Sequence, residues 1–237
     1  MKSLLYQILL SIDHMMKQAL IAYSFSHFVV DFLCAFTIFS IPNFFPELTE
    51  QMLLYIIIYG VLAFGLQVLF GAIGDSIKKP KLFALLGISL NFVALFLLFL
   101  SPLAATIITG VGNALFHVGG GMISLHLGKR KATLPGIFVS TGAMGVFLGT
   151  FLPVYTSFSL RYLVGLALLT FFFLLITKIP PLQQEKAETL PSQHSSIQYW
   201  IVLICFFILL SIFIRSVIGF LVPFPRKSGF LLGFLFT

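Results

Sequence analysis

The chain has 237 residues, of which 59% are hydrophobic and only 9% charged, and its 14 Lys and Arg outnumber its 7 Asp and Glu to give a net charge of +7. Soluble domains carry roughly 25% charged residues, and a soluble fold of this size leaves too much surface in water to hide so much apolar area. The composition therefore excludes an ordinary soluble domain, and because the surplus cations sit in short loops between apolar runs they read as topology signals rather than as a nucleic-acid surface.

The 29 Phe suit a lipid-facing exterior. Cys34 and Cys205 both fall in apolar runs and support neither a disulfide framework nor a metal motif.

In residues 1–17, Leu4, Leu5, Ile8, Leu9 and Ile12 recur at helical spacing. This suits a helix lying in the membrane interface. A signal peptide is the rival reading, but no small-residue cleavage site follows. Met15 or Met16 is an alternative start.

About 20 apolar residues cross the hydrocarbon core as a helix. Spans are predicted at 18–41, 51–71, 82–101, 103–124, 135–156, 162–179 and 198–221. Pro102 divides the third from the fourth, and Pro180-Pro181 ends the sixth, because proline terminates or kinks a helix. The expected organisation is an interfacial segment at 1–17, a six-helix bundle at 18–180 and a cytoplasmic linker at 181–197. Residues 198–237 then begin a C-terminal bundle, with one helix and an incomplete one from Gly229. The fold class is all-α integral membrane.

Lys78, Lys79 and Lys81 lie between spans two and three, and Lys129, Arg130 and Lys131 between four and five. Lys178 and Lys186 flank the linker, and Lys2 and Lys17 precede the first span. All of these fall on one side, against Arg161, Arg226 and Lys227 on the other. The positive-inside rule places the N-terminus, the linker and both basic loops in the cytoplasm of an inner-membrane protein.

Ionisable groups inside a bilayer are rare and by default functional. In the first span His27 and Asp31 lie one turn apart on one face. Burial disfavours charge on either group and pairing favours it, so the pair suits proton exchange near neutral pH. The alternative is a hydrogen bond that only fixes the helix register.

In the fourth span Gly110, Asn113, His117 and Gly121 share a face if the segment is helical. Asn113 and His117 are candidate solute contacts or proton relays, set against simple interhelical hydrogen bonds. Gly110, Gly112, Gly119, Gly120 and Gly121, and the Gly145–Gly149 pair, suit close helix packing. Gln67 and Asn91 read as packing hydrogen bonds. In the seventh span Arg215 lies several residues from either end, so snorkelling is strained. It needs an anion, either Asp31 or a group on a solute.

Two other chemistries are weak. A membrane acyltransferase would use a His-x4-Asp pair, whereas three residues separate His27 from Asp31. A metal site could draw on His27, Asp31 and His117, but these are not closely spaced in sequence. No enzyme activity, metal or cofactor is expected.

These pieces together resemble the major facilitator superfamily. Gly71-Ala-Ile-Gly-Asp75-Ser-Ile-Lys78-Lys79 is similar to the superfamily's cytoplasmic loop between helices two and three. Within it the chain resembles the fosmidomycin-resistance efflux group. The similar features are Ser26-His27-x-x-x-Asp31, Gly110-x-Gly112-x-x-x-Phe116-His117, Arg215-Ser216-x-x-Gly219 and the segment from Gly136 to Gly149. Val118 stands where that group usually has Pro, and Thr150 where it has a Gly-Pro pair.

The resemblance implies two six-helix halves rocking about a central site, and proton-coupled export of a small molecule. It implies that His27 and Asp31 carry protons, that Asn113 and His117 line the path and that Arg215 is a charge partner. Gly71, Asp75, Lys78 and Lys79 would form a cytoplasmic gate. The implied partners are the lipid bilayer, a small-molecule substrate and protons. A second expectation is that the chain is a truncated or split half, inactive alone and associating with a complementary C-terminal half. A third is a six-helix unit that dimerises into its own pore.

Overall fold

The computed structural model describes residues 14–128, 132–155 and 160–179, with Leu203 and Phe206 beyond them. The chain divides into two units, Met1–Pro181 (grouped with Thr237) and Leu182–Phe236. The division falls at the start of the polar stretch after Pro180. The first unit carries all the structure that follows.

Six long helices run in order: α1 (His14–Phe39), α2 (Met52–Ile77), α3 (Pro80–Leu97), α4 (Pro102–Gly128), α5 (Thr133–Tyr155) and α6 (Leu160–Ile176). A single turn, Ile41–Phe44, and a 3-10 helix, Pro46–Gln51, join α1 to α2. No strand occurs among the described residues. Five of the helices are long and apolar enough to cross a membrane, while α6 has 17 residues, at the short end of a span. Of the expected span at 198–221 only Leu203 and Phe206, both helical, are among the described residues.

Proline sets several boundaries. Pro80 and Pro102 open α3 and α4, where the missing N–H would have had no helical partner anyway. Helix α2 runs six residues past the apolar window read from sequence, so Gly71 and Asp75 are helical rather than in a loop. The helix stops only at Lys78, whose backbone turns left-handed (φ 54°, ψ 33°) and whose N–H returns to the Gly74 carbonyl at 2.8 Å. Hydropathy marks where the hydrocarbon ends, not where the helix does. The expected loop thus shrinks to Lys78 and Lys79.

The exterior is as apolar as the core, and the core holds polar groups as well as hydrophobic ones. Helix α1 is the most enclosed and α2 the least. The buried side of α1 includes Ser24, Ser26, His27, Asp31 and Thr37, with Ser40 buried just past its end. The exposed face of α2 is Leu54, Ile57, Val61, Phe64, Val68 and Leu69. An apolar exterior around a polar axis is what a hydrocarbon solvent selects.

The strongest helix pairings are α1 with α5, α3 with α4 and α2 with α4, followed by α1–α4, α3–α6 and α1–α6. Exchanging α1–α3 for α4–α6 carries α1–α5 onto α4–α2 and α3–α4 onto the much weaker α6–α1. The α4–α5 pairing, as strong as α1–α6, and the weaker α1–α3 have no counterpart of similar strength.

Glycines set the close approaches. A Cβ at Gly145 or Gly149 on α5 would strike the backbone carbonyl of Phe28 or Phe32 on α1. Gly112 lies against the Gly87 carbonyl, and a Cβ at Gly119 would come within 2.5 Å of the Pro80 carbonyl. Small residues are the usual means of such packing where no hydrophobic effect drives helices together. Asn91 and Gln67 also act in packing: each donates to a carbonyl one turn back on its own helix, Gly87 and Ala63.

Candidate functional site

Helices α1 and α4 each present two polar side chains one turn apart, His27 and Asp31 on α1, Asn113 and His117 on α4. The helices meet in opposite directions, so His27 lies beside His117 while Asp31 lies beside both Asn113 and His117. The Asp31 carboxylate is the hub. Its Oδ2 is 3.1 Å from His27 Nε2, its Oδ1 is 3.0 Å from His117 Nε2, and Oδ1 also accepts from Asn113 Nδ2 at 3.0 Å.

The outer contacts fix this hub. His27 Nδ1 donates to the Phe138 carbonyl on α5 at 2.7 Å, and the imidazole stacks on the Phe138 ring at a centroid distance of 4.1 Å. A carbonyl only accepts, so the Nδ1 proton is fixed and the lone pair or second proton is at Nε2. Asn113 Nδ2 also approaches Tyr59 Oη at 3.0 Å and Cys34 Sγ at 3.4 Å, and Cys34 donates to Asn91 Oδ1 at 3.1 Å. The polar network therefore reaches α2 and α3 as well.

Access is unequal. The side chains of His27 and Asp31 are 3% and 8% exposed, and that of His117 is 21% exposed. From α5, Gly142 closes over the cluster: a Cβ there would strike the His27 ring and come within 2.5 Å of Asp31 Oδ2.

Four of the residues singled out from sequence are thus brought together: His27, Asp31, Asn113 and His117. Gly110 turns elsewhere, towards Leu62 and Tyr59 of α2. Gly71, Asp75, Lys78 and Lys79 lie on the last turn of α2 and just past it, with Asp75, Lys78 and Lys79 exposed. No ion pair joins Asp75 to either lysine among the described residues. Arg215 lies outside the described residues.

Tyr59, Cys34, Gly142 and the Phe138 carbonyl belong to the site without having been singled out. Cys34 carried one usable signal, since it sits three residues after Asp31 and so on the same helix face. His27, Asp31 and His117, weighed from sequence as a metal site and set aside because they are not closely spaced there, place one ligating atom each within 4.8 Å of the others.

Comparison with known proteins finds no matching family model, no matching curated protein and no matching solved structure.

Proposed function

We propose that the chain is a secondary active transporter of the major facilitator type, expelling a small molecule in exchange for protons. The observation that carries this reading is the Asp31 carboxylate held between two imidazoles inside a membrane bundle. A membrane protein keeps such groups away from lipid only at a cost, and proton relays are a main use of them. Their donor and acceptor atoms lie 3.0–3.2 Å apart, so a proton passes between them without any large side-chain movement.

Two further features support the reading. The strong α1–α5 and α2–α4 pairings exchange under a swap of α1–α3 with α4–α6, as expected where six helices are two inverted three-helix repeats. The site joins α1 to α4, the first helix of each repeat, near the middle of both. Proton uptake and release change the charge on the cluster, and with it the attraction between His27, Asp31 and His117, and so favour one access state over another. The lysines around α2 and α3 then face the cytoplasm, with the N-terminus, in the inner membrane. Asp75 with Lys78 and Lys79 serves as the gate on that side, and Arg215 as a counter-charge.

A transporter of this type carries substrate between two six-helix halves. The exposed apolar face of α2 is open to lipid, to a complementary half or to a second copy of the chain. On the alternative reading the chain alone is an interaction protein that transports only with that partner.

The test is proton-driven accumulation in inverted membrane vesicles, with the intact chain beside Asp31→Asn, probed with a phosphonate antibiotic and a cationic dye. Accumulation that needs the gradient and is lost in Asp31→Asn is expected. Equal accumulation by both chains removes Asp31 from the proton path. No accumulation by either, until a complementary half is co-expressed, selects the interaction-protein reading.

A further inference from the structure

We propose that His27, Asp31 and His117 form a three-ligand binding site for a divalent transition-metal cation of the Zn2+ class. The site shares its atoms with the proton pathway proposed above, but the inference does not depend on transport.

The argument begins with counting protons. His27 Nδ1 is bound to a carbonyl and holds its hydrogen, so the neutral ring presents a bare lone pair at Nε2. That lone pair faces Asp31 Oδ2 at 3.1 Å and His117 Nε2 at 3.2 Å, while His117 Nε2 faces Asp31 Oδ1 at 3.0 Å. One proton cannot satisfy this triangle. Placed on His117 Nε2, it leaves the His27 lone pair against the Asp31 carboxylate. Two protons, one on His117 Nε2 and one between Asp31 Oδ2 and His27 Nε2, satisfy both carboxylate oxygens but leave the His27–His117 edge without a proton of its own. A single cation at the centre serves all three edges at once.

The size of the triangle agrees. Zinc binds imidazole nitrogen at about 2.0–2.1 Å and carboxylate oxygen at about 2.0–2.2 Å, so neighbouring ligands of a tetrahedral ion lie roughly 3.3 Å apart. The two nitrogens here are 3.2 Å apart, and each has a carboxylate oxygen at 3.0–3.1 Å, Oδ2 for His27 and Oδ1 for His117, so the spacings agree within a few tenths of an ångström and the carboxylate can ligate through either oxygen or both.

The surroundings are those of a ligand set. A metal-binding imidazole donates its other N–H to a carbonyl or carboxylate, and a metal-binding carboxylate is itself hydrogen-bonded. His27 Nδ1 has the Phe138 carbonyl, and Asp31 Oδ1 has Asn113 Nδ2. Two imidazoles and one carboxylate suit Zn2+, Co2+, Ni2+ or Fe2+, whereas Ca2+ and Mg2+ require mainly oxygen. Cys34 is not part of the set, because its thiol is engaged with Asn91 and Asn113. Three protein ligands leave a further position for water or a solute, and His117 is the exposed member on whose side it opens.

The experiment uses the purified full chain in nanodiscs, with no gradient, titrated with Co2+ and then Zn2+. About one Co2+ per chain is expected, with the visible absorption of a low-coordinate site that Zn2+ displaces. X-ray absorption of the Zn2+ form should show only nitrogen and oxygen neighbours, two of them imidazole, at about 2.0–2.1 Å. Asn113→Leu, which removes one hydrogen bond to the ligating carboxylate, should weaken binding about 10–100-fold. His117→Ala should weaken it further, and His126→Ala should leave it unchanged. A chain that binds no divalent metal overturns the proposal, as does sulfur in the zinc shell or binding indifferent to His117→Ala. The intact-chain spectra decide the matter even if a variant misfolds. Because binding is read without transport, metal binding and proton-driven transport stand or fall separately.

Discussion

His27 and His117, from helices whose sequence positions differ by 90 residues, face each other Nε2 to Nε2 at 3.2 Å. Neither imidazole is held there by its own helix alone. The meeting requires α1 and α4 to cross in opposite directions at one register, and Asp31 and Asn113 pair in that same register. A cluster this specific has consequences for both stability and activity.

The stability consequence is small. Interhelical hydrogen bonds in membranes average about 0.6 kcal/mol and reach about 1.7 kcal/mol. A double-mutant cycle of Asp31→Asn and Asn113→Leu, followed by unfolding in mixed detergent, should give a coupling in that range. A coupling well above it would make the cluster chiefly a structural clamp.

Gly142 should matter more to activity than to folding. A Cβ at this position collides with His27 and Asp31, not with a helix backbone. Gly142→Ala displaces the reacting atoms, and a misplacement of about 1 Å at a reactive centre costs on the order of 100-fold. Transport by Gly142→Ala should fall at least tenfold while its unfolding curve stays near that of the parent. Gly165→Ala, with nothing within 4 Å of the new atom, should leave both unchanged.

Gly145 and Gly149 should behave in the opposite way. Their new side chains would strike the α1 backbone, which cannot rotate away. Overpacking of this kind costs about 1–3 kcal/mol, so Gly145→Leu should lower the unfolding midpoint sharply. At Gly60 and Gly65 the space is open, and alanine there should be neutral or stabilise by up to about 1 kcal/mol through helix propensity.

Cys34 should be unreactive in the folded chain. Its side chain is fully buried and hydrogen-bonded, and buried structural thiols are inert. With Cys205 replaced by Ser, a membrane-permeant maleimide should label the protein only after denaturation. Rapid labelling of the native form would show that α1 separates from α3 and α4.

Lys81 reaches from the first turn of α3 to the end of α6, donating to the Leu175 and Thr177 carbonyls at 2.7 and 2.8 Å. These otherwise lack helical partners. Lys81→Met should cost about 1 kcal/mol locally, read as several-fold faster hydrogen exchange in the last turn of α6. Exchange unchanged there would mean that water replaces the lysine without loss.

The helices were legible in the sequence because apolar length is decided locally, and the six described helices fall within a few residues of the expected spans except at the C-terminal ends of α2 and α4. The same holds for His27 with Asp31 and for Asn113 with His117, since one helical turn fixes each pair. What joins the two pairs is not local. Tyr59, Gly142 and the Phe138 carbonyl reach the site through the register of α2 and α5 against α1 and α4, and that register is set by which glycines allow backbones to touch. Hydropathy carries no trace of it. The triangle of His27, Asp31 and His117 could be named from sequence but not supported there, for the same reason: ligand spacing in sequence reports a site only when one element supplies it.

The unequal exposure of the three ligating side chains also grades them. His117 is the most open of the three, and Asp31 and His27 are more enclosed. An imidazole-directed reagent should therefore reach His117 well before His27, and because that ring stands against both Asp31 Oδ1 and His27 Nε2, its modification disables two groups that the reagent never touched.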